Sequence, residues 1–115
     1  MNFLLRIVIT AVVAFALSYI LPGIRIESFW IAIKFSLVLA ILNFLLKPIL
    51  VILTLPITLI TFGLFLFVIN AIIVWFVGNL INGFHIENFI WALLFSLLLS
   101  LLTSILYKEQ DKDAQ

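Results

Sequence analysis

Apolar residues run almost unbroken from residue 3 to residue 21, interrupted by Arg6, Thr10 and Ser18. That length suits a helix crossing a hydrocarbon core of ~30 Å. A second run, from about Phe29 to Leu46, ends where Pro48 disfavours helix for Lys47. A third covers Leu64 to Leu80 and a fourth Phe89 to Tyr107. Two turns join these runs in pairs, Leu21-Pro22-Gly23-Ile24-Arg25-Ile26-Glu27-Ser28 and Ile81-Asn82-Gly83-Phe84-His85-Ile86-Glu87-Asn88. After each glycine, apolar and charged residues alternate, the period of a strand. Between the pairs, residues 49–62 are apolar but reach only ~21 Å as a helix, too short to span, and Pro56 interrupts them. Thr54, Thr58 and Thr61 give this connector one weakly polar face, which suits an interfacial or re-entrant broken helix. An irregular continuation of the second run is the alternative.

The pattern predicts an all-α membrane protein with four transmembrane helices arranged as two tandem helical hairpins. The hairpins are copies of one another at an offset of 60 residues: Gly23, Ile26, Glu27, Phe29, Ala32, Phe35, Ser36, Leu37, Leu39, Leu42 and Leu46 recur as Gly83, Ile86, Glu87, Phe89, Ala92, Phe95, Ser96, Leu97, Leu99, Leu102 and Leu106. A weaker echo precedes it, Leu4, Val8, Ile9 and Ala11 returning as Leu64, Val68, Ile69 and Ala71. The expected organisation is a single membrane domain over 1–107, with repeat one at 1–48, the connector at 49–62, repeat two at 63–107, and a polar C-terminal tail at 108–115. Ala14-Phe15-Ala16 loosely resembles a signal cleavage site, but a removable signal would not be echoed by residues 61–80.

Composition sharpens the class. The chain is 67% hydrophobic and 10% charged, with a mean hydropathy of +1.45, too little polar surface to coat a soluble globule. Five of its charges lie between Lys108 and Asp113, so the tail reads as a solvated end. A net charge of +1 gives no footprint for nucleic acid. The absence of cysteine removes thiol nucleophiles and thiolate metal sites, and one histidine cannot build a metal cluster. No cofactor and no small-molecule substrate is indicated; the expected partners are the lipid bilayer and further copies of the chain. With four spans, Arg6, Lys47, Lys108 and Lys112 share one side and Arg25 and Lys34 the other, placing both termini in the cytoplasm of a multi-pass bacterial inner-membrane protein. Two spans per unit make the repeats parallel about an axis along the membrane normal.

Four groups of residues could carry function. If the two turns meet about the twofold axis, centring the register on Ile26 opposite Ile86 sets Arg25 against Glu87 and Glu27 against His85, a clasp between repeats that is charge-complementary at both pairs when His85 is protonated. The same carboxylates could be an acid and base pair, though nothing nearby supplies a nucleophile or metal. Within the membrane, Ala32, Ser36, Ala40, Asn43 and Lys47 share a face of the second helix, and Ala92, Ser96, Ser100, Thr103 and Tyr107 repeat it in the fourth. Small residues at this spacing let helices approach closely, and they also suit a pore lining. Asn43 and Asn70 stand at similar depth and are expected to bond between helices. Lys34 either snorkels to the headgroups or faces a cavity. Tyr19, Trp30, Trp91 and Tyr107 read as interfacial anchors, not ligand-stacking residues, and Pro48 and Pro56 as the breaks bounding the connector.

Asn43-Phe44-Leu45-Leu46-Lys47-Pro48, followed by Thr54-Leu55-Pro56, Gly63-Leu64 and Ile69-Asn70-Ala71, together with Leu21-Pro22-Gly23 and Phe29-Trp30, resembles the phage holin 4 superfamily, group two. The resemblance covers residues 1 to about 107 and departs at Asn82, where many relatives look like proline. It implies a holin-like protein that assembles in the bacterial cytoplasmic membrane and permeabilises it. Holins oligomerise into lesions that release a cell-wall hydrolase, whereas many members of this group look like resident bacterial proteins. The other expectation is therefore a structural or envelope-stress accessory protein that binds a membrane partner or lipid. No catalytic residue is implied, and the protein is not expected to be an enzyme.

Overall fold

The computed structural model describes residues 2–61 and 63–113. The chain runs α1 (Phe3–Ile20), β1 (Ile24–Ile26), α2 (Phe29–Leu45), α3 (Lys47–Leu53), α4 (Leu55–Ile60), α5 (Phe65–Leu80), β2 (Phe84–Ile86) and α6 (Phe89–Asp113). Side-chain caps define where three helices start: Asn2 accepts from Leu5 N–H at 2.8 Å, Ser28 from Ile31 N–H at 3.4 Å and Asn88 from Trp91 N–H at 3.2 Å. α1 and α6 are each long and apolar enough to cross a membrane. α2 and α3 qualify together across a 44° bend, and α5 is a shorter apolar helix.

Around the bundle, α1 packs on α2 and α6, and α5 packs on the same two helices. β1 and β2 pair antiparallel, which brings both hairpin turns to one end of the bundle, hereafter the outer end. α1 and α5 therefore run in the same direction, as do α2 and α6. Ala11, Ala14, Ala32, Ala71 and Ala92 are fully buried where helices meet, since a side chain of one carbon lets backbones approach.

The strand register differs from the expected one. Ile24 pairs with Ile86, Arg25 with His85 and Ile26 with Phe84. The ladder continues outward, with Glu27 N–H donating to the Gly83 carbonyl at 3.0 Å and Glu87 N–H to the Gly23 carbonyl at 2.9 Å. Arg25 is thus opposite His85, not Glu87, and Glu27 is opposite Gly83. Both registers respect the 60-residue symmetry and keep the same side chains on the same face. The observed one pairs the four apolar residues with one another over the bundle and leaves Ser28 and Asn88 to cap α2 and α6. The expected register would have set those two caps opposite Phe84 and Ile24.

Below the strands the outer half of the bundle is solid. Phe35 stacks on Phe84 with ring centroids 4.3 Å apart and meets Phe95 edge-on at 5.8 Å. Phe84 in turn meets Phe95 edge-on at 5.9 Å. Phe35 and Phe95 are repeat counterparts, so equivalent rings touch near the centre of the bundle.

Three boundaries shift from expectation. Lys47 is helical: Pro48 sits in the first turn of α3, where its missing N–H costs little, and the chain bends there. The connector is two short helices broken at Thr54, with Pro56 in the first turn of α4, and the Thr54 hydroxyl folds back onto the Leu50 carbonyl at 2.7 Å. Gly63, at φ 88°, turns the chain towards α5. At the far end α6 runs on to Asp113 because neither proline nor glycine follows Tyr107 to stop it.

Candidate functional site

The inner half of the bundle, away from the strands, encloses a cavity of about 670 Å³. Four helices supply its walls. From α1 come Phe3, Arg6, Ile7 and Thr10; from α2 the residues Leu39 to Leu45 except Leu42; from α5 Asn70 and Val74; from α6 Leu99, Ser100, Thr103 and Tyr107. Leu39, Val74 and Leu99 are buried and form the apolar end nearest the phenylalanine cluster.

A polar band crosses the cavity. Asn70 Nδ2 donates to Ser100 Oγ at 2.8 Å and to the Ser96 carbonyl at 3.3 Å. The hydroxyls of Thr10 and Tyr107 are hydrogen-bonded to each other, joining α1 to α6. The Arg6 guanidinium lies over the Tyr107 ring, 4.6 Å from its centroid. Thr103 is buried and its hydroxyl bonds the Leu99 carbonyl at 2.6 Å. Asn43 Oδ1 is buried without a hydrogen-bond partner, an uncommon and costly condition for a carbonyl oxygen.

Asn43 and Asn70 do not bond each other, contrary to expectation. Both line one cavity, but Asn70 is turned to α6 and takes Ser100, while the buried Asn43 Oδ1 on α2 has no partner. Ala40 and Ser100 line the same cavity, whereas Ala32, Ser36, Ala92 and Ser96 are buried in the packed outer half. The small-residue faces therefore divide by depth, close-packed outside and open inside. Tyr107 is a wall of the cavity and Trp91 a packing residue; Tyr19 and Trp30 are exposed near the outer end.

At the outer surface, Glu27 and His85 approach to 3.8 Å, both more than half exposed. They are diagonal neighbours across the strand pair, and Arg25 and Glu87 hold the symmetry-related diagonal. Lys34 is exposed and lines a groove with Leu37, Val38, Leu80, Ile81 and Asn82, beside the C-terminus of α5, a favourable place for a cation.

Arg6 and Thr10 escaped the sequence reading as site residues. For Thr10 the signal was there: at the 60-residue offset Thr10 corresponds to Asn70 and Asn43 to Thr103, so four residues of the band form two pairs of positions that are polar in both halves, whereas Arg6 corresponds to Leu66. The band offers amides, hydroxyls and one guanidinium, groups that bind and orient. Among the described residues no cluster of three His, Cys, Asp or Glu could hold a metal.

Comparison with known proteins adds the following. The family model described as "Mycobacterial 4 TMS phage holin, superfamily IV" matches residues 1–105. The uncharacterized membrane protein YvlD of Bacillus subtilis is 40% identical over 103 residues, covering 89% of this chain and 87% of its own. The uncharacterized protein SCO3922 of Streptomyces coelicolor is 35% identical over 72 residues, 59% of this chain and 58% of its own. No solved structure matches the chain.

Proposed function

The chain belongs to the superfamily IV phage holins, and from that premise we propose that it assembles with copies of itself in the bacterial cytoplasmic membrane and permeabilises it at high density. In this reading the protein crosses the bilayer four times, keeps both termini in the cytoplasm, and consists of two parallel repeats held together at the outer surface by the paired turns. One observation carries the assembly step: Phe35, Phe84 and Phe95 fill the outer half of the bundle beneath the strands. A single chain offers solutes no way through that plug. Permeation then belongs to the seams between copies, and exposed Leu4, Val8 and Val12 on α1, with Ile52, Leu53, Leu59 and Ile60 on the connector, supply apolar faces for them.

Vesicles holding a small dye and a labelled dextran test this. Dye release should rise more steeply than linearly with the number of chains per vesicle, because several copies must meet. Release strictly proportional to protein would refute assembly. No release at any density would refute permeabilisation and leave the accessory reading, which the inner cavity favours.

Topology is tested by single cysteines in this cysteine-free chain. Arg25→Cys and His85→Cys, exposed and opposite each other on the strands, should both react with an impermeant thiol reagent from the periplasmic side. Labelling from opposite sides would sink the parallel arrangement.

A further inference from the structure

We propose that the inner cavity is a binding site for one anionic phospholipid with a hydroxyl-bearing headgroup, phosphatidylglycerol being the simplest, drawn from the leaflet on the side of the chain's termini. The mouth of the cavity identifies the source. Its exposed lining residues are Phe3, Arg6, Ile41, Phe44 and Leu45, all on the inner ends of α1 and α2. Phe44 is 80% exposed and Phe3 54%, so the lip is apolar and opens between two membrane helices, where lipid and not cytosol is the neighbour. A volume of about 670 Å³ lies within the ~300 to 1,000 Å³ typical of small-ligand sites.

Charge and hydrogen bonding then select the headgroup. Arg6 supplies a guanidinium in the first turns of α1, at headgroup depth, and no carboxylate lines the cavity among the described residues. A cation in a membrane cavity lined by no described carboxylate favours a bound anion. On the facing helix α2, Asn43 lines the same cavity, and its Oδ1 is a buried acceptor lacking a donor. A phosphate on Arg6 with a glycerol hydroxyl donating to Asn43 satisfies both, and the acyl chains lie along Phe44 and Ile41 towards the bilayer centre. A choline headgroup brings no net negative charge and no hydroxyl donor.

Lipid retention is a separate readout from leakage, so this site stands or falls apart from permeabilisation. The full chain, delipidated in detergent, is titrated with phosphatidylglycerol, phosphatidylcholine or glycerol 3-phosphate and followed by native mass spectrometry. Phosphatidylglycerol should be retained at about tenfold lower concentration than phosphatidylcholine, the worth of one charge-assisted contact. Arg6→Gln should abolish that preference, Arg6→Lys should keep most of it, and Arg25→Gln, at the outer end, should leave it unchanged. Asn43→Leu should weaken phosphatidylglycerol binding while leaving the melting temperature equal or higher, because it removes an acceptor that the lipid-free protein leaves unpaired. This second variant keeps the test decisive even where Arg6→Gln fails to fold. Equal retention of the two lipids, or a preference that survives both Arg6→Gln and Asn43→Leu, overturns the proposal. Glycerol 3-phosphate competing as well as the lipid would make it a site for a soluble phosphate.

Discussion

Phe84→Ala is expected to destabilise the protein by about 3–5 kcal/mol, the usual cost of deleting a buried aromatic ring, and to lower the melting temperature by on the order of 10 °C. Phe84 is only 4% exposed, stacks on Phe35 at 4.3 Å and touches Phe95 at 5.9 Å. Removing it empties the middle of a three-ring cluster, and the strand that carries it is fixed to β1 on one side and packed on α5 on the other. The site can therefore collapse only partially. Phe84→Ile is the informative control, because the symmetry-related position is already Ile24, fully buried in the same layer. It should cost about 1–2 kcal/mol, since it keeps most of the apolar volume. Thermal unfolding in detergent followed by circular dichroism separates the two variants. The vesicle assay adds a functional arm: thinning the plug should raise dye release at protein densities where the parent chain is tight. An alanine variant that melts with the parent would show that the cluster does not hold the outer half together.

Much of this architecture could be read from the chain because each hairpin solves the same physical problem twice. Long apolar runs demand helices in lipid, and each glycine-led turn returns the chain. The strand register was not readable, for a specific reason. The two symmetric registers differ by two residues, so they keep the same faces; the expected one sets opposite charges directly across and the observed one only on the diagonal, and the choice falls to Ser28 and Asn88, which are needed as helix caps. The cavity was hidden for a different reason. Arg6, Asn43, Asn70 and Tyr107 come from four separate helices, and only the rotation of each helix in the bundle decides which of them face each other. Asn43 and Asn70 illustrate it: a bond between them was the expectation, and the turn of Asn70 towards Ser100 was not legible. Lys47 shows the limit of a local rule, since the residue before proline is merely biased against helix and here sits in the first turn of α3.

Gly23→Ala should be about as damaging as a poorly tolerated core overpacking, about 2–3 kcal/mol, although it adds a single methyl group. A β-carbon on Gly23 would fall 2.1–2.2 Å from Cγ, Cδ1 and Cδ2 of Trp91, far inside any van der Waals contact. The cause is the neighbouring ring and not backbone strain, because the glycine with a positive φ in these turns is Gly83, at 94°. Nor can the backbone retreat easily, since the Gly23 carbonyl accepts the Glu87 N–H at 2.9 Å and ties the turn to β2. The ring itself must move. A double variant, Gly23→Ala with Trp91→Leu, should therefore be more stable than the two single losses predict, with a coupling of about 1–2 kcal/mol. Leucine is apt because the symmetry-related neighbour of Gly83 is the aliphatic Ile31. Gly63→Ala serves as the contrast: nothing lies within 4 Å of its β-carbon, so its φ of 88° leaves backbone strain alone, about 1–2 kcal/mol. Rescue by Trp91→Leu should then appear at Gly23 and be absent at Gly63. Equal rescue at both, or none at Gly23, would mean that the indole does not seat on the first turn and that the outer end is held together by the strands alone.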